Sequence, residues 1–457
     1  MLGHPYDQDF CGEAVAKGVR VSITHVGYCL ELAWRSYRRN PWLTLSVVLT
    51  LAIGIGTSMT ALALLHILSA DPIPGKSTAL FQPRRIYADA THSPHTMIDF
   101  QEARALLDAA AESTRGTILA EGFGAAGTIE SQMSPQSVSA LHTTRSFFTL
   151  FDVPFLLGAS WSENADNAGE HLSVVSKPLA IKLFGRASVV GESVRYGGTL
   201  FRIVGVLDDW RQTPRVYNLV GGGEFMQPDD IFTPIKAVRD LDSSAFVPFD
   251  CDVAPGAAAD DRGQSVGGHN DKLFESTCGW TSMWVELPAA ADVARFRSLL
   301  AQRGGSTYRY ELENVPTILR NAQVVPTDVR VYSLLGVGFL LLCILSASGA
   351  LLGQFFRHGF ETGLRRALGA SSQDIRRQFL VESLLIGAAG GLIGLGLTYV
   401  GLASVRQLGT AFTEIIRLDR TMLLATLISS IASGLLAGLL PAWRASRVDP
   451  GLQIRTN

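Results

Sequence analysis

Four groups of residues in this 457-residue chain have types and spacings that could do chemistry. Gly75-Lys76-Ser77 has the ending of a phosphate-binding loop, where backbone N–H groups cradle phosphate and the lysine neutralises it. His92 and His95 stand close enough to be read as paired metal ligands. Cys251 and Cys278 form a pair that an oxidising compartment could join. The fourth group is FETGLRRALGA, Phe360 to Ala370, a basic stretch between two long apolar runs. Coiled as a helix, it puts Leu364, Ala367 and Leu368 on one side and Arg365 and Arg366 elsewhere. Glu361 stands four residues before Arg365 as a local ion pair, and Gly369 is placed to end the helix.

The first two do not hold. A phosphate loop needs glycine five positions before its second glycine; that position is Ala70, and an apolar run rather than a strand leads into it. Between the two histidines lie Ser93 and Pro94, with no partner cysteine and no helix to hold both rings on one face, so a solvated loop is the better account. Nucleophile elbow, paired carboxylates and HExxH are missing from the pattern, and catalysis is not expected. For the cysteines, a disulfide and two free thiols both stay open. The basic segment has two readings as well. Its arginines alone suit a loop on lipid headgroups; the apolar edge and helix stop suit docking into a groove on a cytoplasmic protein.

What positions these groups is a set of charge-free windows. Hydrophobic residues are 47% of the chain and charged residues 18%. Pro41 to Ala70, Val331 to Phe356, Ser383 to Val405 and Thr421 to Trp443 lack Asp, Glu, Lys and Arg, and crossing a bilayer takes about 20 apolar residues in a helix. The net charge of -2, without a basic aromatic patch, gives no sign of nucleic-acid binding. Arg35, Arg38 and Arg39 precede the first window, Arg357, Arg365, Arg366, Arg376 and Arg377 follow the second, and Arg444, Arg447 and Arg455 follow the fourth. Basic flanks mark the cytoplasmic side, which places both termini inside and one large domain outside.

The expected fold is an α-helical membrane protein with four transmembrane helices, one plus three, and a large mixed α/β periplasmic domain between the first and second. Residues 1–40 are a cytoplasmic extension ending in an interfacial helix, and 41–70 the first span. Residues 71–328 are the outer domain, with a loop-rich insertion at about 208–279. Spans follow at 331–356, 379–405 and 421–443, joined by a cytoplasmic loop at 357–378 and an outer loop at 406–420, with a cytoplasmic tail at 444–457. Gly349 and Gly353, Gly387 and Gly391, Gly390 and Gly394, and Gly434 and Gly438 have the spacing that lets helices approach closely in lipid, within the chain or against a second one. Few polar residues project into the spans, and Glu382 sits at the cytoplasmic edge of the third. His66, near the outer end of the first, reads as an interfacial side chain, and Cys343 as a packing residue in the second.

In the outer domain Met97 to Ala110 reads as a helix, Ser137 to His142 as a strand, and Ser173 to Ser176 as a strand feeding a helix at Pro178 to Phe184. Glu192 to Tyr196 and Thr199 to Val206 read as a hairpin turned by Gly197-Gly198. Thr281 to Leu287 is a further strand, and Asp292 to Leu300 a helix with Val293, Phe296, Leu299 and Leu300 on one face.

LRRALGASSQDIRRQFLVESLL, Leu364 to Leu385, with the glycine-rich span after it, resembles the signature of FtsX-like permeases of ABC transporters. PAWRASRVDP, Pro441 to Pro450, and RRNPWLTLSVVLTLAIGIG, Arg38 to Gly56, are similar to the exit from their fourth span and to their first. VPFLLGASWSENAD, SVVSKPLAIKLFG and VVGESVRYGGTLFRIVGVL resemble the MacB-like periplasmic core domain. The resemblance fades over 1–30 and 209–279. It implies that Glu361, Gly363, Leu364, Arg365, Arg366, Ala367, Leu368 and Gly369 belong to a coupling helix that receives the motion of ABC ATPase subunits. It also implies a second permease, the same chain or a related one, and ATP and Mg on the partner ATPase rather than on this chain. A periplasmic adaptor and an outer-membrane duct would complete an inner-membrane exporter of a peptide, antibiotic, toxin or lipid-linked cargo. The alternative is an FtsX-type mechanotransducer that regulates periplasmic cell-wall hydrolases.

Overall fold

The computed structural model describes residue 38 and residues 40–87, 97–110, 114–128, 135–210, 212, 214–217, 228–249, 271–305, 308–357, 371–407 and 420–447. In chain order its elements are α1 (Pro41–Leu68), β1 (Leu80–Tyr87), α2 (Phe100–Ala109), β2 (Arg115–Thr128), β3 (Gln136–Thr143), α3 (Ser146–Leu150), β4 (Phe155–Gly158), α4 (Glu163–Ala168), β5 (Leu172–Ser176), α5 (Lys177–Phe184), β6 (Ser193–Tyr196) and β7 (Thr199–Leu207). Then come β8 (Ile231–Pro234), β9 (Ala245–Phe246), α6 (Asp271–Glu275), β10 (Ser282–Glu286), α7 (Ala290–Arg303), β11 (Tyr308–Asn314), α8 (Val315–Asn321), α9 (Thr327–Arg357), α10 (Ser372–Gln407) and α11 (Arg420–Arg447). The chain divides into two compact units, residues 70–324 and the residues before and after them.

In lipid a backbone without water satisfies its N–H and C=O groups by coiling. Among the described residues four helices are long and apolar enough to cross a membrane, within α1, α9, α10 and α11. Pro41 suits the first turn of α1, where its missing N–H costs nothing. Leu334, Leu342, Leu345, Leu392 and Ile428 are more than half exposed, as lipid-facing side chains are. His66 is exposed in the last turn of α1. Cys343 is buried, in contact range of Gly54.

Residues 70–324 are built on a sheet of eleven strands among the described residues. Its order is β11-β1-β10-β2-β3-β8-β5-β7-β4, with β6 paired to β2 and β7 and β9 paired to β2. Strand side chains alternate between faces, and β2 shows it. Ile118 and Ala120 join the core with Phe100 and Leu106 of α2, Leu179 of α5 and Phe296 of α7. Leu119 joins Phe147 and Phe151, Trp161, Ile318 and Trp284 on the other side. The expected hairpin is β6 and β7, with Tyr196 opposite Thr199. Gly197 and Gly198 turn it with φ of +55° and +72°, which suits residues without a Cβ.

The stretch expected as a loop-rich insertion needs a correction. Its part at 231–234 is β8, four buried residues lying parallel to β3 and antiparallel to β5 in the middle of the sheet. A four-residue strand buried on both faces has no alternation to reveal it.

Candidate functional site

The residues expected to receive a partner's push, Glu361, Gly363, Leu364, Arg365, Arg366, Ala367, Leu368 and Gly369, lie outside the described residues, as do His92, His95 and Cys251. What the structure describes is the frame around that segment. α9 runs up to Arg357, and α10 sets out from Ser372 with Ile375 buried and Arg376 and Arg377 exposed.

α10 is locked to two neighbours through residues that bring no side chain. Against α11, a Cβ placed on Gly434 would stand 2.8 Å from the Gly387 Cα, so the backbones touch where lipid offers no hydrophobic drive. The Ser430 hydroxyl donates to the Gly387 carbonyl at 2.7 Å in the same seam. Against α1, Gly394 meets Ile55, Gly390 meets Leu51, and a Cβ on Gly56 would stand 2.7 Å from that of Leu397. Gly349 and Gly353 of α9 have nothing within 4 Å of such a Cβ. Ser333, Thr398 and Ser430 donate to carbonyls of neighbouring helices, and Ser58, Thr426 and Ser433 to carbonyls of their own. The first three hydroxyls therefore join helices, and the other three are satisfied within their own. Gln354 on α9 and Glu382 on α10 are the long polar side chains buried in the spans among the described residues.

Residues 70–324 bury charge outright. The Arg215 guanidinium lies 3.2 Å from Asp229 and 3.4 Å from Glu121, all three buried, and Tyr217 donates to the other oxygen of Asp229 at 3.1 Å. Burial opposes the Arg215 charge, but Asp229, Tyr217 and Glu121 outweigh it and raise its pKa. The Trp210 ring stacks on Tyr217 with centroids 5.5 Å apart. Behind the sheet His142 is fully buried, its Nδ1 2.7 Å from the Thr233 hydroxyl, and burial pulls its pKa down to about 3. Burial likewise raises that of Tyr196, whose hydroxyl points with the His142 ring at Gly122. Among the described residues no three His, Cys, Asp or Glu side chains cluster as metal ligands. Cys278 is disulfide-bonded, its partner outside the described residues.

This chain matches the MacB-like periplasmic core domain over residues 44–303 and the FtsX-like permease C-terminal domain over residues 333–450. It belongs to the FtsX-like permeases with a MacB-like periplasmic core domain. The macrolide export ATP-binding/permease protein MacB of Shewanella sp. (strain W3-18-1) is 24% identical over 436 residues, 92% of this chain and 58% of the relative. The ABC transporter permease YknZ of Bacillus subtilis is 24% identical over 300 residues, 64% of each chain. SyfD of Pseudomonas syringae, a probable syringafactin export protein, is 30% identical over 169 residues, 36% of this chain and 24% of its own. The chain thus spans less than two thirds of the length of these relatives. A crystal structure of the periplasmic region of MacB from Actinobacillus actinomycetemcomitans covers 54% of this chain and 94% of its own at 14% identity, with a TM-score of 0.36.

In this FtsX-like permease three of the four glycine pairs expected to pack helices are used inside the bundle, and the pair on α9 is not. Sequence reasoning missed the buried Arg215 network. Its signal was local: Trp210, Arg215, Val216 and Tyr217 give a Gly- and Asp-rich stretch side chains too large for a solvated arm.

Proposed function

We propose that this chain is the permease subunit of an ATP-driven MacB-like transporter, and that it passes the motion of a separate ATPase to its periplasmic domain to export cargo. The observation that carries this reading is the seam between α10 and α1. α10 begins directly after the expected coupling segment and is interlocked with α1, and α1 leads in sequence into the periplasmic core domain. A push on the loop at 358–370 then carries both helices, because close-packed backbones resist being pulled apart. The hydroxyls bonded to carbonyls in the spans fit a device that moves helices rather than one that passes solute between them.

The ATPase subunits bind ATP and Mg, and the termini are cytoplasmic with the core domain outside. A second permease packs against α9, where Gly349 and Gly353 offer a face that nothing among the described residues covers. Cys278 pairs with Cys251. The names of MacB and SyfD, exporters by title, support transport over the regulation of cell-wall hydrolases, and the partners of transport would be a periplasmic adaptor and an outer-membrane duct.

The test is the ATPase rate of a co-purified cassette protein with this chain in lipid nanodiscs. Leu368→Asp, a change in the docking edge that spares every span, is expected to lower the stimulated rate at least about tenfold, the cost of burying an unpaired charge in an interface. An unchanged rate removes the coupling segment from the mechanism, and a hydrolase in place of an adaptor among co-purified proteins decides for regulation.

A further inference from the structure

Glu382 is an ionisable residue inside a spanning helix, and its side chain is buried, 7% exposed. Such residues are expensive to keep in lipid, and they mark function more often than packing. Ile375 and Ile386, both buried, lie within about 40° of Glu382 around the helix, at 100° per residue. Ile386 shares a buried cluster with Val47, Val48 and Leu51 of α1 and with residues of α9 and α11, and the four-residue row that continues through Glu382 and Ile386 to Gly390 and Gly394 meets α1 at Leu51 and Ile55. The next residue, Ser383, faces the other way, onto Gly434 and Gly438 of α11.

The level of Glu382 along α1 follows from the contacts above it. α10 and α1 run parallel, with Gly390 against Leu51, Gly394 against Ile55, Gly401 against Thr60, and Thr398 bonded to the Gly56 carbonyl across 342 residues of sequence. Carried down two turns, those offsets of 339 to 342 residues set Glu382 level with residues 40 to 43, the first turn of α1. This end of α1 is electropositive twice over. A helix N-terminus carries unpaired N–H groups and about half a positive charge. The Asn40 side chain does not cap them, and the first turn holds no acidic residue. The approach to it carries Arg35, Arg38 and Arg39, and Arg38 is exposed.

We propose that Glu382 is a positioning residue: its carboxylate holds the positively charged start of α1 against α10, so that displacement of the loop at 358–370 reaches α1 at its first turn. Glycine seams resist separation but allow one helix to slide along the other; a charge fixed at the level of a helix end resists the slide. The role of the linkage rests on the motor reading above, whereas its existence does not.

Hydrogen–deuterium exchange of the full chain in lipid nanodiscs tests it without an ATPase. In Glu382→Gln, which keeps the shape and removes the charge, the amides of residues 42–48 are expected to exchange about tenfold faster than in the native chain. Glu382→Asp is expected to restore them to within about twofold, with peptides from β5 and β7 unchanged in both variants. Native exchange in Glu382→Gln overturns the proposal, as does equal acceleration in Gln and Asp variants across all four spans, which would mark a packing role only. With a bound ATPase, Glu382→Gln should keep association and lose stimulation; unchanged stimulation overturns the role of the linkage in coupling. If instead Leu368→Asp leaves the ATPase rate intact while Glu382→Gln loosens α1, the motor reading falls and the anchor stands.

Discussion

The two units of this chain solve close packing in opposite ways. In the spanning helices backbones come into contact at Gly387 and Gly434, and polar side chains bond to carbonyls within reach. In the core domain the large buried groups pack ring on ring and charge on charge, with Phe147 against Phe151, Tyr217 and Phe232 and Arg215 set between Asp229 and Glu121. Water explains the difference. Outside the membrane, apolar burial is driven and large rings gain most from it; in lipid no such drive exists between helices, and contact area comes from removing side chains. Smooth glycine seams leave helices able to shift as bodies, whereas interdigitated rings around buried charges hold a sheet rigid. The proposed transmission of motion would call on those two properties.

The comparison is broken most directly at Arg215. Arg215→Met removes the cation between two buried carboxylates and is expected to cost the core domain about 4 kcal/mol, read as a fall in its thermal transition in nanodiscs. The spans should hold, so a helical signal that melts with the domain would contradict their independence. Gly434→Leu comes next, with an expected loss of about 3 kcal/mol from forcing a side chain between touching backbones. Gly349→Leu should cost less than about 0.5 kcal/mol and instead weaken self-association, measured by subunit counting in nanodiscs. Equal loss of stability in the two variants would mean that α9 is packed as tightly as α10.

Acid separates the units more gently. An unfolded His titrates near 6.5, and His142 in the fold has been pulled down to about 3 by burial. Between these values the unfolded state binds the proton and the native state does not, so stability is present above 6.5 and falls as pH drops below it. From pH 7 to pH 5 the loss is about 2 kcal/mol, confined to the core domain, and His142→Leu should flatten that slope.

Elements whose pattern is local were legible in advance. The helix at α7 has Phe296 and Leu300 buried on the face its spacing implies, and Gly197-Gly198 fits a two-residue turn by its chemistry. β5 feeding α5 was readable because Ser176 caps the helix and Pro178 opens it. β2 was not. RGTILAEGFGAAGT has four glycines and few β-branched residues, and it is a fourteen-residue strand because β10, β3, β6 and β9 pair with it. Gly122 is required there by a side chain twenty residues on, since a Cβ would run into the His142 ring.

Four spans, one outer domain and a basic segment between the second and third span follow from composition alone, because lipid admits only long charge-free helices and basic flanks mark a side. Which glycines meet each other, which pair meets nothing among the described residues, and that Thr398 bonds to the Gly56 carbonyl 342 residues earlier were decided by tertiary structure. Those facts depend on contacts between segments far apart in the chain, and spacing within a segment says nothing about the register between two of them.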